Sequence, residues 1–178
     1  MISTRRLGNL PEGSEVPRWY ALHTMSYCEA KVAGYLGSFG VEVFLPDYLS
    51  RRQWNDRVKM LRCPLFPGYL FGRFHRKLPT EALGASGLVH IVGFAGSPIP
   101  IPDAEIESIR RLVDSGLHLC GSPMLKVGKH VRMRSGPLQG LEGRLEKIKS
   151  QFRLVVSVEL LCRSISAEVD RESIEVLS

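Results

Sequence analysis

The sequence predicts an α+β protein in two parts. A small antiparallel sheet carrying helices comes first, and a small closed β-barrel of five strands follows. Two observations point to the first part: short alternating apolar runs occupy residues 18–115, and amphipathic stretches with helix signals interrupt them. A third points to the second part. From Lys126 onward alternation continues with no competing helical period. Several short strands in so little chain leave exposed edges unless the sheet closes on itself.

Residues 1–17 are rich in Pro, Gly, Ser and charge and read as a loose leader. Trp19 to Met25 reads as a strand, with Trp19, Ala21 and His23 on one face and Tyr20 and Leu22 on the other. A helix follows, with Ser26 as its N-cap and Glu29 completing a capping box. Cys28, Val32, Tyr35, Leu36 and Phe39 form its core stripe, and Gly40 ends it. Val41 to Pro46 is the next strand. Ser50 to Cys63 reads as a protruding basic hairpin turning at Asn55-Asp56. After Pro64-Leu65-Phe66-Pro67-Gly68 a strand starts near Tyr69, with Tyr69 and Phe71 facing one way and Leu70 and Phe74 the other. A short helix covers Pro79 to Ser86, and Leu88 to Phe94 is a further strand. Pro98 to Pro102 reads as a stiff extended connector. Asp103 caps the last helix, whose stripe is Ile106, Ile109, Leu112 and Val113. Residues 116–125 read as a linker. Beyond it Val131 and Met133, Leu154 to Leu160, Ile165 to Val169, and Ile174 and Val176 alternate as strands.

Charge is concentrated. The chain carries +6 overall, yet residues 51–77 alone hold eight basic side chains against Asp56, a local +7. Such a patch attracts polyanions. No glycine-rich phosphate loop precedes a helix, no GxSxG elbow occurs, and no acid pair stands out. Cys63, beside the basic segment, is the one nucleophile to consider, and nothing brings a specific histidine to it. Cys28, Cys63, Cys120 and Cys162 form no CxxC pair, and the five histidines form no HxxxH or HExxH pattern. No catalytic residue, metal or cofactor is therefore expected. No apolar run approaches the length of a membrane span, and Met1 to Arg18 contains no secretory signal, so a cytoplasmic location is expected. Tyr69, Phe71 and Phe94 on expected strands are either core or, since Leu22, Val32, Leu36, Phe39, Leu70, Phe74 and Ile91 already supply one, a surplus that forms an apolar groove for a protein partner.

Trp19-Tyr20-Ala21-Leu22, the helix start from Ser26 to Lys31, Pro64 to Phe71 and the glycine-rich turn near Gly136 to Gly143 occur in that order. This combination resembles the NusG family of transcription elongation factors. Residues 18–115 look like its NGN domain, and residues 126–178 look like its KOW domain, an SH3-like five-stranded barrel. The resemblance implies a monomeric, non-enzymatic factor that binds RNA polymerase at the clamp helices of the β′ subunit. Its contact face would comprise His23, Phe66, Tyr69, Phe71 and Phe94, with Ile106 and Ile109 at the edge. It implies nucleic-acid contacts at upstream or non-template DNA from Lys31, Arg51, Arg52, Arg57, Lys59, Arg73 and Arg76. It also implies a KOW surface at Leu161 and Arg163, where the family meets a small-subunit ribosomal protein or the termination factor Rho. The Pro64 to Phe71 wording and the basic hairpin are similar to the specialised RfaH-like, LoaP-like and UpxY-like paralogues. That likeness implies control of pausing and termination, in the form of operon-specific antitermination. A ribosome-associated or general RNA-binding protein built on a KOW barrel is the alternative.

Overall fold

The computed structural model describes residues 16–54, 57–75, 78, 80–123, 128–148 and 151–177. Its N-terminal sheet is built on β1 (Arg18–Thr24), which is followed by α1 (Glu29–Ser38) and β2 (Glu42–Phe44). A ribbon of β3 (Asp47–Trp54) and β4 (Arg57–Pro64) comes next, then β5 (Tyr69–Phe74), α2 (Thr80–Leu83) and β6 (Leu88–Ile91). The short pieces β7 (Gly93–Phe94), β8 (Ser97–Pro98) and β9 (Pro100–Ile101) lead into α3 (Asp103–Asp114). The sheet runs β2-β5-β1-β6, with β9 also pairing on β1.

Alternation sorts its two faces as read from the sequence. Tyr20, Leu22, Leu70 and Phe74 pack with Val32 and Leu36 of α1 and Ala82 of α2. Trp19, Ala21 and Phe71 face the other way, toward Ile106, Ile109 and Leu112 of α3. Arg110 secures α3 to that face. Its guanidinium lies 5.0 Å from the Trp19 ring and 5.2 Å from the Phe44 ring, and its Nη2 donates to Glu42 at 2.9 Å.

The C-terminal sheet comprises β10 (Leu119–Pro123), β11 (Lys129–Met133), β12 (Glu142–Ile148), β13 (Gln151–Val158), β14 (Arg163–Val169) and β15 (Ile174–Val176). Its order is β10-β14-β13-β12-β11-β15. The five strands expected after Lys126 are β11 to β15. A sixth, β10, comes from the segment expected to be linker, and it pairs with β14 from Leu119↔Ala167 to Pro123↔Arg163. A polar-looking stretch thus takes an open edge, because β14 presents unpaired backbone groups there.

Several local expectations change. Ser26 does not cap α1. The N-cap is Cys28, which makes no side-chain bond, and the Glu29 carboxylate is used elsewhere. Tyr35 and Phe39 do not join the core stripe. They are exposed at 40% and 39%, with rings 5.1 Å apart, while Val32 and Leu36 are fully buried. The cap before α3 is Pro102, with Asp103 in the first turn. The strand expected over 88–94 breaks at Val92, because β7 turns to pair with β8 rather than with β1. The proline-rich connector contributes β9, which pairs with Trp19 and Tyr20. The basic hairpin is present as β3 and β4, in register from Asp47↔Pro64 to Trp54↔Arg57. Its expected turn, Asn55-Asp56, lies outside the described residues.

Candidate functional site

Of the contact residues singled out in the sequence, His23, Phe66, Tyr69 and Phe71 gather at the Pro64 to Phe71 segment. Phe66-Pro67-Gly68-Tyr69 is a tight turn: the Tyr69 N–H donates to the Phe66 carbonyl at 2.9 Å, and Gly68 has φ of +81°. Proline then glycine at the two central positions suits a type II turn, since the second needs positive φ. Two further bonds hold it. The Gly68 N–H donates to the buried Glu29 carboxylate at 2.8 Å, and the Thr24 N–H donates to the Gly68 carbonyl at 2.8 Å. Glu29, read from the sequence as part of a cap, instead holds this turn. Nothing local signals its partner, 39 positions away.

The turn sets Phe66 inward and Tyr69 at the margin. Phe66 and Phe71 are buried, with rings 5.5 Å apart and edge-on, and Phe71 stacks on Phe44 at 6.1 Å. Ile106 and Ile109 are buried as well. Tyr69 is half-buried and its ring lies 5.1 Å from that of His23, which in turn lies 5.0 Å from His90. Phe94 stands apart from this group, 78% exposed on the small β7-β8 ribbon. Of the seven expected contact residues, then, four are core and two are marginal. Only Phe94 is fully open. Sequence alternation assigns a face but not its cover, and here the cover is α3 together with the C-terminal sheet.

That cover is continuous. One apolar cluster runs from Trp19, Leu65, Phe66 and Phe71 through the α3 stripe to Leu119, Val131, Leu138, Leu154, Val158, Leu161 and Ile165. On β13, Leu154, Val155 and Val156 are all buried. Val155 and Val156 line a cleft with Ala104, Glu105 and Ser108 of α3. Arg111 donates to the Gln139 carbonyl across the same seam.

The seam carries one perturbed acid. Burial pushes the Glu105 carboxyl above its ordinary 4.5, and the negative charge of Glu159 pushes it the same way. His130, Glu142 and Arg144 line the cleft too, with His130 Nε2 3.7 Å and Arg132 2.6 Å from Glu142. A raised carboxyl pKa means the packed form binds its proton more tightly than the unpacked form. Its contribution is therefore whole below pH 4.5 and is lost as pH rises through the raised value. We expect Glu105→Gln to remove this dependence. Denaturation midpoints taken in pH steps from about 4 to 7 should show wild type losing ground to the variant as pH rises. Parallel curves would mean that Glu105 ionises freely.

The basic residues divide. Lys59 is exposed on β4, and Arg51, Arg52 and Arg57 take ladder positions opposite Met60, Lys59 and Trp54. Lys31 is exposed on α1, with Nζ 3.2 Å from the Ser86 hydroxyl. Arg73 is occupied instead: it lies 3.6 Å from Glu42 and 3.9 Å from Asp103, and donates to the Pro17 carbonyl. Arg76 lies outside the described residues. On the C-terminal sheet Leu161 is buried, and Arg163 begins β14 exposed. Among the described residues no three His, Cys, Asp or Glu side chains converge as metal ligands would. Among them, too, no helix is long and apolar enough to cross a membrane.

Residues 17–110, just over half of the 178, match the sequence profile of a family described as transcription termination factor nusG. The transcription termination/antitermination protein NusG of Pseudomonas aeruginosa is 28% identical over 174 residues, covering 89% of this chain and 97% of that protein. Its counterpart in Staphylococcus epidermidis is 28% identical over 176 residues, covering 90% and 96%. A solved structure concerning domain interaction in Thermotoga maritima NusG aligns over 91% of this chain and 98% of that one. Its TM-score is 0.55 at 22% identity, so the likeness extends to the fold.

Proposed function

We propose, from the premise that this chain belongs to the NusG family of non-enzymatic transcription termination and antitermination factors, that it binds RNA polymerase through its NGN domain. In this reading residues 18–115 are that domain, and residues 126–178 are the KOW domain. The docking face is the one around Phe66, Tyr69 and His23, backed by Phe71, Ile106 and Ile109 and extended by the exposed Phe94. The clamp helices of β′ are its target. One observation carries the reading: the apolar surface of this face exceeds what the N-terminal sheet and α3 cover themselves, so the cluster continues onto a second body. A large apolar face completed only by another partner is how docking surfaces differ from ordinary cores.

Seated on polymerase, the factor acts by biasing its conformation, and it modulates pausing and termination in the cytoplasm. The bearing of its basic ribbon suits upstream duplex or the non-template strand, since a two-stranded ribbon fits a DNA groove and arginines contact phosphates. Lys31 extends this contact. Arg73, already paired with two acids, contributes less. Contacts of this kind, made to phosphates, position the factor rather than specify a sequence. Operon-specific antitermination is the role that suits a divergent, hairpin-bearing member. Leu161 and Arg163 are the KOW residues for a ribosomal protein or Rho.

The test is capture of core RNA polymerase by the full chain at low and raised salt, with Tyr69→Ala beside wild type. Tyr69 is the residue of choice because it is marginal, so its loss leaves the core intact. We expect binding that survives salt and falls at least about tenfold in the variant, since central aromatics dominate docking energies. Absence of binding, with the interdomain seam opened as well as closed, overturns the reading.

A further inference from the structure

We infer that the end of the C-terminal sheet around Phe152 is a binding site for single-stranded RNA, separate from the apolar face and from Leu161 and Arg163. Three cations gather near one ring there. Lys147 Nζ lies 5.6 Å and the Arg171 guanidinium 6.0 Å from the centre of the Phe152 ring. Lys129 joins them in lining an open cleft of about 400 Å³, to which Leu145 and Val176 add apolar surface. Among the described residues no acid lines this cleft.

Packing alone does not place these cations. Lys129 pairs with Leu145, Leu145 with Leu154, and Lys147 with Phe152. Cross-strand partners and residues two apart share a face. Both lysines therefore project from the face that buries Val131 and Leu154. Inward lysines can guard an open sheet edge, but β11 and β12 each have a neighbour on both sides. Acids lie on the opposite face and are spoken for: Glu142 is 2.6 Å from Arg132, and Glu168 is 3.4 Å from Arg153. Lys129, Lys147 and Arg171 are exposed. Among the described residues none of the three forms an ion pair.

Uncompensated cations attract a polyanion, while an aromatic ring among aliphatic side chains attracts a flat apolar group. Single-stranded nucleic acid carries both, phosphates for the three cations and a base for Phe152. A duplex offers no free base face. Lys147 and Arg171 stand near the outer limit of ring contact, about 6 Å, so each can turn to a phosphate at little loss. The cleft on the other side of Phe152 and Arg171 holds Glu168 and Asp170, which turns the strand toward Lys129. That the strand is RNA rests on the polymerase-binding reading above: the basic ribbon takes DNA, which leaves the transcript. Phe152 pairs near the start of β13 and Val158, opposite Arg163, at its end. At about 3.3 Å per residue the two lie roughly 20 Å apart, so this site and the Leu161 surface can be filled together.

The experiment uses the full chain and a labelled, unstructured RNA of about twelve nucleotides, followed by fluorescence anisotropy at several salt concentrations. Phe152→Leu keeps an apolar side chain and removes the ring. Lys147→Gln with Arg171→Gln removes two exposed cations. Arg18→Gln with Arg134→Gln removes the same charge from exposed positions outside the cleft. Expected is RNA affinity at least about fivefold lower for Phe152→Leu and about tenfold lower for the Lys147 and Arg171 pair. The salt slope of that pair should be shallower by about 1.4, at about 0.7 per phosphate contact. Capture of core RNA polymerase should stay at the wild-type level for both. An equal fall for the Arg18 and Arg134 pair overturns the site, since binding would then follow net charge alone. Unchanged affinity for the Lys147 and Arg171 pair overturns it too, whatever Phe152→Leu does. Tighter binding of single-stranded DNA of the same sequence overturns the assignment to RNA. RNA held at this cleft by a chain that captures no polymerase upholds the site and sinks the polymerase reading instead.

Discussion

Phe71→Ala is expected to lower the stability of the protein by about 3–5 kcal/mol, the usual loss for a phenylalanine removed from a closed core. The side chain has no exposed surface, and it is ringed by aromatics on both sides, Phe66 edge-on and Phe44 stacked. Opposite it on β1 stands Ala21, also fully buried and too small to fill the space left behind. The hole would lie in the middle of a sheet, where strand pairing prevents collapse, so the cavity contribution stays high. Urea denaturation followed by circular dichroism measures this directly. Tyr69, on the same strand and the same face, should cost far less, because it is half-buried at the margin. A loss under about 1 kcal/mol for Phe71→Ala would place that ring on an accessible surface and restore it as a contact residue equal to Tyr69.

Glu29→Ala is expected to cost about 1–3 kcal/mol, the range for leaving a buried polar group without its partner. The carboxylate is 6% exposed and accepts the Gly68 N–H at 2.8 Å. Removing it strands that N–H inside the turn that positions Phe66 and Tyr69. Glu29→Gln keeps a carbonyl oxygen at the same reach and should recover most of the loss. The pair is checked by denaturation midpoints, and capture of polymerase by Glu29→Ala should weaken in parallel as the turn loosens. If Gln is no better than Ala, the carboxylate acts through its charge and not as the acceptor of this bond.

Much of the site was legible because the signals were local. Alternation placed Trp19 and Ala21 opposite Tyr20 and Leu22, and Tyr69 with Phe71 opposite Leu70 with Phe74, as the two apolar clusters divide them. Helical spacing found Ile106, Ile109 and Leu112 on α3. The order of Trp19-Tyr20, the Pro64 to Phe71 segment and the late glycine-rich turn carried the family. The misreadings have a common cause. Ser26 and Glu29 have the spacing of a capping box, but the Gly68 N–H, far away in sequence, offers the carboxylate a buried bond. Tyr35 and Phe39 continue the α1 stripe in sequence, yet both stay exposed, and Tyr35 turns its hydroxyl to the Glu81 carbonyl of the α2 segment.

By itself, then, the sequence determined the α+β class, the sorting of residues onto sheet faces, the basic hairpin and the family. These follow from side-chain period and from short-range turn chemistry, which any stretch of chain carries with it. Only the tertiary structure decided that residues 119–123 are a strand, that Glu29 holds a turn, and that the apolar face lies under the C-terminal sheet. Each depends on which backbone edge or apolar face is left unpaired by elements distant in the chain. β14 had an edge to offer, and the face around Phe66 had area to bury, and neither quantity exists until the two bodies have folded.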